Sequence, residues 1–524
     1  MMGKRSWSDF FHGDRALVFG LALLPLLLLV LCHGRYGYFR DELYYIACSN
    51  HLALGYVDQP PLSILLLKVV RWLLGDSLHA IRLLPALAVA LTVALAGLTA
   101  RKLGGGRLAQ VLAALAVITA PIMLGSGRYF SMNAFDLLFW ALAGYLVIVI
   151  LHDDKPRLWP LFGLVVGLGL LNKYSIGFFI AALVVGLLLS PQRKQLATKW
   201  FWLAGLIALL LFLPHLIWEI RWHFPSLEWM RRVTQFKNMP LAPLQFIWSQ
   251  FFEVNLAAAP VWLLGVWFFL FSRQGRSFRP LGWSYVLLLV VMVAVRAKPY
   301  YLAPIYPLLF AAGAPVIENW TRQPRRLRLK WVKPVLVGLI LVWGLILAPF
   351  AVPLLPVETF IRYQKLLNAQ PRTEERGTPP GILPQHYADM FGWPELAAQM
   401  AGIFRTLTPE EQSRCLIYTR NYGEAGAIDF FGRVYGLPRA LCGHNSYWSW
   451  GPDDEPFTAL IVIGDSNDLQ ENLADLGRGF GNVELAGTTA CGLCMPYENN
   501  RQIFLCREPR FKFKDIWPEE RFYI

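Results

Sequence analysis

An adjacent pair of carboxylates, Asp41 and Glu42, lies in the segment His33-Gly-Arg35-Tyr-Gly-Tyr-Phe-Arg40-Asp41-Glu42-Leu-Tyr44-Tyr45. A second acidic turn follows at Tyr56-Val-Asp58-Gln59-Pro60-Pro61. Neighbouring side chains on a helix project about 100° apart, so only one of Asp41 and Glu42 is expected to face a given cavity. A third carboxylate, Asp136, comes after Gly127-Arg128-Tyr129-Phe130-Ser131-Met132-Asn133, one turn into an apolar run, where an ionisable group is expensive and tends to be functional. Cations and tyrosines accompany these acids at Asn172-Lys173-Tyr174 and at Arg296-Ala-Lys298-Pro-Tyr300-Tyr301-Leu-Ala-Pro304. The combination suits a proton-accepting base beside a phosphate-bearing lipid, with Lys or Arg on the phosphate and Tyr adding a hydrogen bond. Plainer readings exist for each group. Asp41 could pair with Arg40 or Arg35 in a solvated loop, Asp136 could pair with Arg128, and Lys173 and Lys298 could be interface anchors.

The elements that must position these residues are membrane spans. Of 524 residues 56% are hydrophobic and 16% charged, too apolar for a soluble fold of this size. The formal net charge of +14 reads as topological and excludes nucleic-acid binding as the main function. Lys4, Arg5 and Arg15 precede an apolar run from Ala16 to Cys32 without a small-x-small cleavage site, which predicts a retained signal anchor. Eleven apolar stretches approach the length of a crossing: 14–32, 80–100, 108–125, 134–151, 158–172, 175–190, 200–219, 255–272, 281–297, 302–318 and 333–352. The fifth and sixth are short enough to be re-entrant or broken. With the N-terminus inside, the cytoplasmic segments hold 20 Lys and Arg in 61 residues and the opposite loops 11 in 97, about a threefold difference in density. The acidic motifs, Lys173 and Lys298 then fall on the outer face. Leu62 to Leu74, with Ser63, Lys68 and Arg71 among apolar residues, suits an amphipathic helix at the interface.

An odd span count also sends the chain beyond Pro353 outside. The expected division is a transmembrane domain over 1–352, carrying the outer loop 33–79, and a soluble domain over 353–524. Cys415 to Thr419 and Ala459 to Gly464 read as short buried strands, and 394–406 and 422–435 have helical spacing, so the tail is expected to be a small α/β domain. Gly464-Asp465-Ser466 at a strand end reads as an ordinary loop, since it lacks a glycine-rich fingerprint. Five of the seven cysteines lie here: Cys415, Cys442, Cys491, Cys494 and Cys506. The Cys491-Gly-Leu-Cys494 spacing fits a metal knuckle or a redox pair. Without a second ligand pair, a disulfide or free thiols are favoured over zinc. Gly443-His-Asn-Ser-Tyr-Trp448 has no function legible in the sequence.

Arg40-Asp41-Glu42-Leu-Tyr44-Tyr45, Asp58-Gln59-Pro60-Pro61-Leu62, Met132-Asn133-Ala-Phe-Asp136 and Lys298-Pro-Tyr300-Tyr301-Leu-Ala-Pro304 together resemble glycosyltransferase family 39. This is the dolichyl-phosphate-mannose protein mannosyltransferase-like group with the GT-C membrane fold, similar to the transferases that place aminoarabinose on lipid A. The resemblance covers about residues 10–350. It implies transfer of a sugar from a polyprenyl-phosphate carrier to a lipid, glycan or protein acceptor at the outer, periplasmic face of an inner membrane. It also implies that the first-loop acid, Asp41, is the catalytic carboxylate, with Glu42 and Asp136 as further candidates. The lipid A branch has a basic residue where this chain has Gln59, so carrier-phosphate contacts are expected from Lys298 and Tyr301, then Lys173 and Arg128. Tyr44, Asp58, Gln59, Asn133 and Tyr300 are expected around the substrate.

No metal is obligatory for a monophosphate leaving group, although Glu42, Asp58 and His33 could gather an ion. Two other readings compete. A flippase of lipid-linked sugars would place polar residues at mid-membrane depth rather than at one face. A structural or assembly protein that uses its tail as a binding module would tolerate substitutions in the first loop.

Overall fold

The structure is a computed structural model and describes residues 14–322, 331–371, 373 and 375–524. Lys4 and Arg5, which bear on the retained-anchor expectation, and the basic stretch 323–330 lie outside the described residues. By internal packing the chain forms two compact units. One comprises Met1–His33, Asp76–Ile217 and Pro240–Leu355, the other Gly34–Gly75, Trp218–Met239 and Pro356–Ile524.

The first unit is helical, and the chain is a polytopic helical membrane protein. Six helices among the described residues are long and apolar enough to cross a bilayer: Leu78–Lys102, Met132–Asp153, Lys199–Arg221, Gln274–Ala294, Pro299–Thr321 and Val332–Ala351. There are up to nine spans if three bent pairs each count as one, the pairs being Arg107–Ile118 with Pro121–Gly127, Ser175–Leu188 with Pro191–Ala197, and Pro243–Glu253 with Leu256–Phe271. Two shorter apolar helices, Ala16–Cys32 and Pro156–Asn172, accompany them. The fifth and sixth expected stretches are indeed short, forming helices of 14 residues each, Trp159–Asn172 and Ser175–Leu188.

Small residues let these helices approach at backbone distance, the usual means of association where lipid removes the hydrophobic drive. A Cβ on Gly265 would lie 2.0 Å from the carbonyl oxygen of Leu309, and one on Gly313 would lie 1.8 Å from that of Val261. The helix holding Leu309 and Gly313 is therefore locked at the centre of this unit, and its segment Pro299–Thr321 is almost wholly buried. Lys199–Arg221 instead turns most of its apolar surface outward, as a lipid-facing helix does.

The second unit is built on a five-stranded mixed sheet: β1 (Cys415–Tyr418), β2 (Ala440–Leu441), β3 (Ala459–Ile463), β4 (Phe480–Thr488) and β5 (Gln502–Pro509), in the order β2-β1-β3-β5-β4. The β1 strand runs parallel to β2 and β3, with Ile417 opposite Ala440 and Ile461; β5 runs antiparallel to β3 and β4. All five residues of β3 are buried, which explains its unbroken apolar run. Helices Trp393–Phe404 and Tyr422–Phe431 fall where helical spacing predicts them. The Gly464-Asp465-Ser466 turn is closed by Asn472, whose amide nitrogen donates to the Ser466 carbonyl at 2.8 Å.

Packing divides the molecule differently from a cut at residue 352. The first outer loop, with its helix Arg40–Asn50 and the amphipathic helix Leu62–Leu74, packs with the tail. The cause is local. Helix Arg40–Asn50 lies against a glycine face of Tyr422–Phe431, where a Cβ on Gly423 would sit 2.4 Å from the Arg40 Cγ and one on Gly426 would sit 2.9 Å from the Leu43 carbonyl carbon.

Candidate active site

Within the second unit, Asp41 occupies the first turn of helix Arg40–Asn50, with its side chain 30% exposed. The Tyr422 hydroxyl donates to Asp41 Oδ1 at 3.0 Å, and Arg40 Nε lies 3.9 Å from the same oxygen. Glu42 is turned away from any open site. It is buried, and its carboxylate accepts the Phe39 backbone N–H at 2.9 Å, which satisfies an orphan donor at the helix start. Asp41 is thus the accessible member of the pair.

Asp58 belongs to the same unit. Tyr44 donates its hydroxyl to Asp58 Oδ1 at 2.7 Å, and the Tyr44 and Tyr422 rings lie 4.7 Å apart. Burial pushes the Asp58 carboxyl up to about 6, with the Asp41 charge adding in the same direction. Gln59 is completely buried. Its side-chain oxygen accepts from Ser63 at 3.3 Å, while its amide nitrogen has no partner among the described residues. The segment that the sequence left without a function holds this turn. Ser446 Oγ accepts the Val57 N–H at 3.1 Å, and the Ser446 N–H reaches the Tyr44 hydroxyl at 3.3 Å.

Arg40 is held by the tail. It donates to the Tyr497 hydroxyl at 2.7 Å and pairs with Glu375 at 3.3 Å and Asp389 at 3.8 Å. Lys237 pairs with Glu375 at 3.4 Å. Burial pushes Asp389 up to about 7 despite Arg40; on Glu375, Lys237 and Arg40 outweigh burial and hold the carboxyl at about 2. Tyr422, Tyr497, Lys237, Glu375 and Asp389 escaped the sequence reading, since nothing local marks them as partners of a loop hundreds of positions away.

The first unit carries its own polar cluster. Lys173 Nζ donates to Asn133 Oδ1 at 2.8 Å, lies 3.6 Å from Asp136 Oδ2, and sits over the rings of Tyr300 and Tyr301 at 5.4 and 5.2 Å. Ser175 donates to Asp136 Oδ1 at 2.5 Å. Asp136 therefore pairs with Lys173 rather than with Arg128. Arg128 donates to the Ala351 carbonyl at 2.9 Å, capping the end of Val332–Ala351, and stacks over Tyr129. Lys298 opens the 3₁₀ turn Pro299–Ile305, half-buried, and has no ion pair among the described residues. That turn is pinned where Gln250 donates to the Pro299 carbonyl at 3.1 Å and accepts from the Tyr306 hydroxyl at 3.0 Å. Among the described residues no three His, Cys, Asp or Glu side chains gather as a metal ion would require.

The family described as dolichyl-phosphate-mannose-protein mannosyltransferase matches residues 58–218. The chain is 27% identical over 337 residues to a lipid A galacturonosyltransferase of Rhizobium johnstonii, a match covering 63% of this chain and 68% of the relative. It is 25% identical to an undecaprenyl phosphate-alpha-4-amino-4-deoxy-L-arabinose arabinosyl transferase of Edwardsiella ictaluri, over 55% of each chain. It therefore spans about two thirds of the first relative's length and about half of the second's. Among solved structures, ArnT from Cupriavidus metallidurans in the apo state superposes with a TM-score of 0.60 at 16% identity, covering 94% of this chain and 97% of that one. The same protein bound to undecaprenyl phosphate gives 0.59 at 14% identity, over 95% and 98%. Fold and relatives point the same way: the chain has the GT-C fold seen in ArnT, and in sequence it is similar to membrane glycosyltransferases, the aminoarabinose transferases among them.

Proposed function

We propose that the chain moves a sugar from a polyprenyl-phosphate carrier to a lipid or glycan acceptor at the periplasmic face of an inner membrane, in one inverting displacement with Asp41 as general base. The observation that carries this reading is the setting of Asp41, a part-exposed carboxylate oriented by Tyr422 and flanked by Arg40. The names of the two relatives, which act on lipid A and on an undecaprenyl-phosphate-linked sugar, support the classes of acceptor and donor.

In the displacement, an acceptor hydroxyl or amine attacks the anomeric carbon as Asp41 takes its proton. The bond from that carbon to the phosphate oxygen breaks, and the carrier phosphate leaves with the electron pair. A positioned base contributes about 10²- to 10⁴-fold. Cations act on the departing phosphate where charge develops. Lys298, whose ammonium has no ion pair among the described residues, and Tyr301 are assigned to that phosphate, and Lys173 is a second cation for it. Arg128, tied to the Ala351 carbonyl, is assigned a structural role. Gln59, Asp58 and Tyr44 are assigned to the sugar or headgroup, as are Asn133 and Tyr300.

The test is release of polyprenyl phosphate from polyprenyl-phosphate sugars by purified protein, with lipid A-type acceptors, comparing wild type with Asp41→Asn. Release by wild type and at least a hundredfold loss in the variant, with carrier binding retained, is the expected result. Carrier binding by both proteins with no release across several sugars would replace this reading with that of a flippase. Full activity in Asp41→Asn would move the base elsewhere.

A further inference from the structure

We propose that Cys491 and Cys494 form a thiol–disulfide exchange site for small disulfides, with Cys491 the attacking sulfur and Cys494 the resolving one. Three features of the second unit point to it. First, each thiol is hydrogen-bonded to the backbone of the other residue. The Cys494 backbone N–H donates to Cys491 Sγ at 3.1 Å, and Cys494 Sγ lies 3.0 Å from the Cys491 carbonyl oxygen, so one short turn carries both sulfurs. Second, their exposures differ in the sense the chemistry requires. Cys491 is half-buried, and Cys494 is buried. Third, both border a pocket that is partly open to solvent and walled by Phe391, Trp393 and Leu396, so an external disulfide can approach the sulfurs along an apolar wall.

The surroundings favour a thiolate at Cys491. It rests against Gly392, the residue that opens helix Trp393–Phe404, so closely that a Cβ there would lie 2.9 Å from its sulfur. Thiols at helix starts and in this Cys-x-x-Cys spacing are the reactive ones. Hydrogen bonding from Cys494, its backbone N–H on the Cys491 sulfur included, lowers the Cys491 thiol against burial and the charge of Glu395, while Cys494 itself is pushed up. The cavity wall also includes Glu424 and Glu498, both paired with Arg420.

In the reaction the Cys491 thiolate attacks one sulfur of an external disulfide, the S–S bond breaks, and the first thiolate leaves. Cys494 then gives up its proton to that thiolate, and its sulfur attacks the Cys491 sulfur of the mixed disulfide, expelling the second thiolate. The protein dithiol is oxidised to a disulfide, and one external disulfide is reduced to two thiols. The exchange site is wired to the first loop. Residues 491–501 also carry Tyr497, which accepts from Arg40, and Asp389, three residues before Gly392, pairs with Arg40. Oxidation is thereby coupled to the loop that orients Arg40.

The test uses reduced full-length protein in detergent with bis(2-hydroxyethyl) disulfide, a neutral probe suited to a cavity with carboxylates on its wall, followed by acid quench and peptide mass analysis. Wild type is expected to lose two hydrogens from the 491–494 peptide. Cys494→Ser is expected to accumulate one adduct on Cys491, and Cys491→Ser is expected to react at least about tenfold more slowly. Oxidation is also expected to change amide hydrogen exchange in residues 495–501. Wild-type thiols that stay reduced while denatured protein reacts would overturn the proposal, and so would equal reactivity of Cys494 in the Cys491→Ser variant. The wild-type arm alone decides the matter if the variants do not fold, and none of these readouts depends on sugar transfer.

Discussion

The Tyr422 hydroxyl donates to Asp41 Oδ1 across 3.0 Å, joining residues 381 positions apart. Tyr422 is buried, which holds its own proton firmly, so it acts as a donor rather than an acid. A hydrogen bond of this kind to an ionised group contributes about 1.5–3 kcal/mol and aims the free oxygen of the carboxylate. Tyr422→Phe keeps the ring that packs on Tyr44 and removes only the donor. Its kcat is expected to fall about tenfold, with KM for the carrier sugar changed little. Steady-state release of polyprenyl phosphate checks this; an unchanged kcat would leave Tyr422 a packing residue only.

Asp58 and Asp389 make a prediction about pH. Burial raises them from 3.8 to about 6 and about 7. In the interval between the ordinary and the raised values, the folded protein keeps protons that the unfolded chain has released. These groups therefore make stability fall as pH rises from about 4 to about 7, and their effect levels off above that. Glu375, held at about 2, works the other way, but only below its ordinary value of 4.5. Buried His33 and His444, held down to about 4 and about 3, contribute with the opposite sign below about pH 6.5 in wild type and variant alike, so between about pH 5 and pH 7.5 the thermal midpoint of detergent-solubilised Asp389→Asn is expected to fall less, or rise more, than that of wild type. The same pH dependence in both proteins would show that the Arg40 pair, rather than burial, governs Asp389.

Much of the scaffold is legible in the sequence because its signals are local. The apolar stretches fall on helices of the first unit, Leu62–Leu74 is a helix with the bounds its amphipathic pattern gives, and the runs at Cys415 and Ala459 are adjacent parallel strands. The candidate site is only half legible. Asp41, Asp58 and Lys173 stand out by type and setting. Tyr422, Tyr497, Lys237, Glu375 and Asp389 do not, because their role arises from contacts between distant segments and leaves no periodicity. Glu42 illustrates the converse. Its position beside Asp41 suggests chemistry, and only the helix start at Phe39 reveals a capping carboxylate. Glu42→Ala is accordingly expected to lower stability by about 0.5–2 kcal/mol, read as a lower thermal midpoint, with kcat within about twofold of wild type.

Gln59 carries a buried amide nitrogen without a partner among the described residues, a group that normally costs about 1–3 kcal/mol. A natural sequence tolerates that cost where a ligand supplies the missing acceptor. Gln59→Met keeps the side chain's length and removes the donor. KM for the carrier sugar is expected to rise about tenfold without loss of thermal stability. Loss of stability with an unchanged KM would make Gln59 a packing residue tied only to Ser63.

Lys173 and Asp136 separate an interface anchor from a phosphate ligand. Their side chains are 15% and 3% exposed, so removing one partner strands a charge, at a cost of about 3–5 kcal/mol. Lys173→Met is expected to lose stability, and adding Asp136→Asn, which keeps the bond from Ser175, is expected to restore most of it. If Lys173 were needed only to neutralise Asp136, turnover would return with the fold. If it also meets the carrier phosphate, the double variant will be stable yet still slow, with KM for the carrier sugar raised. The expected outcome is the second, because Lys173 lies over the rings of Tyr300 and Tyr301 and pairs with a single carboxylate, Asp136, among the described residues. Measuring thermal midpoint and turnover on wild type, Lys173→Met and the double variant distinguishes the two.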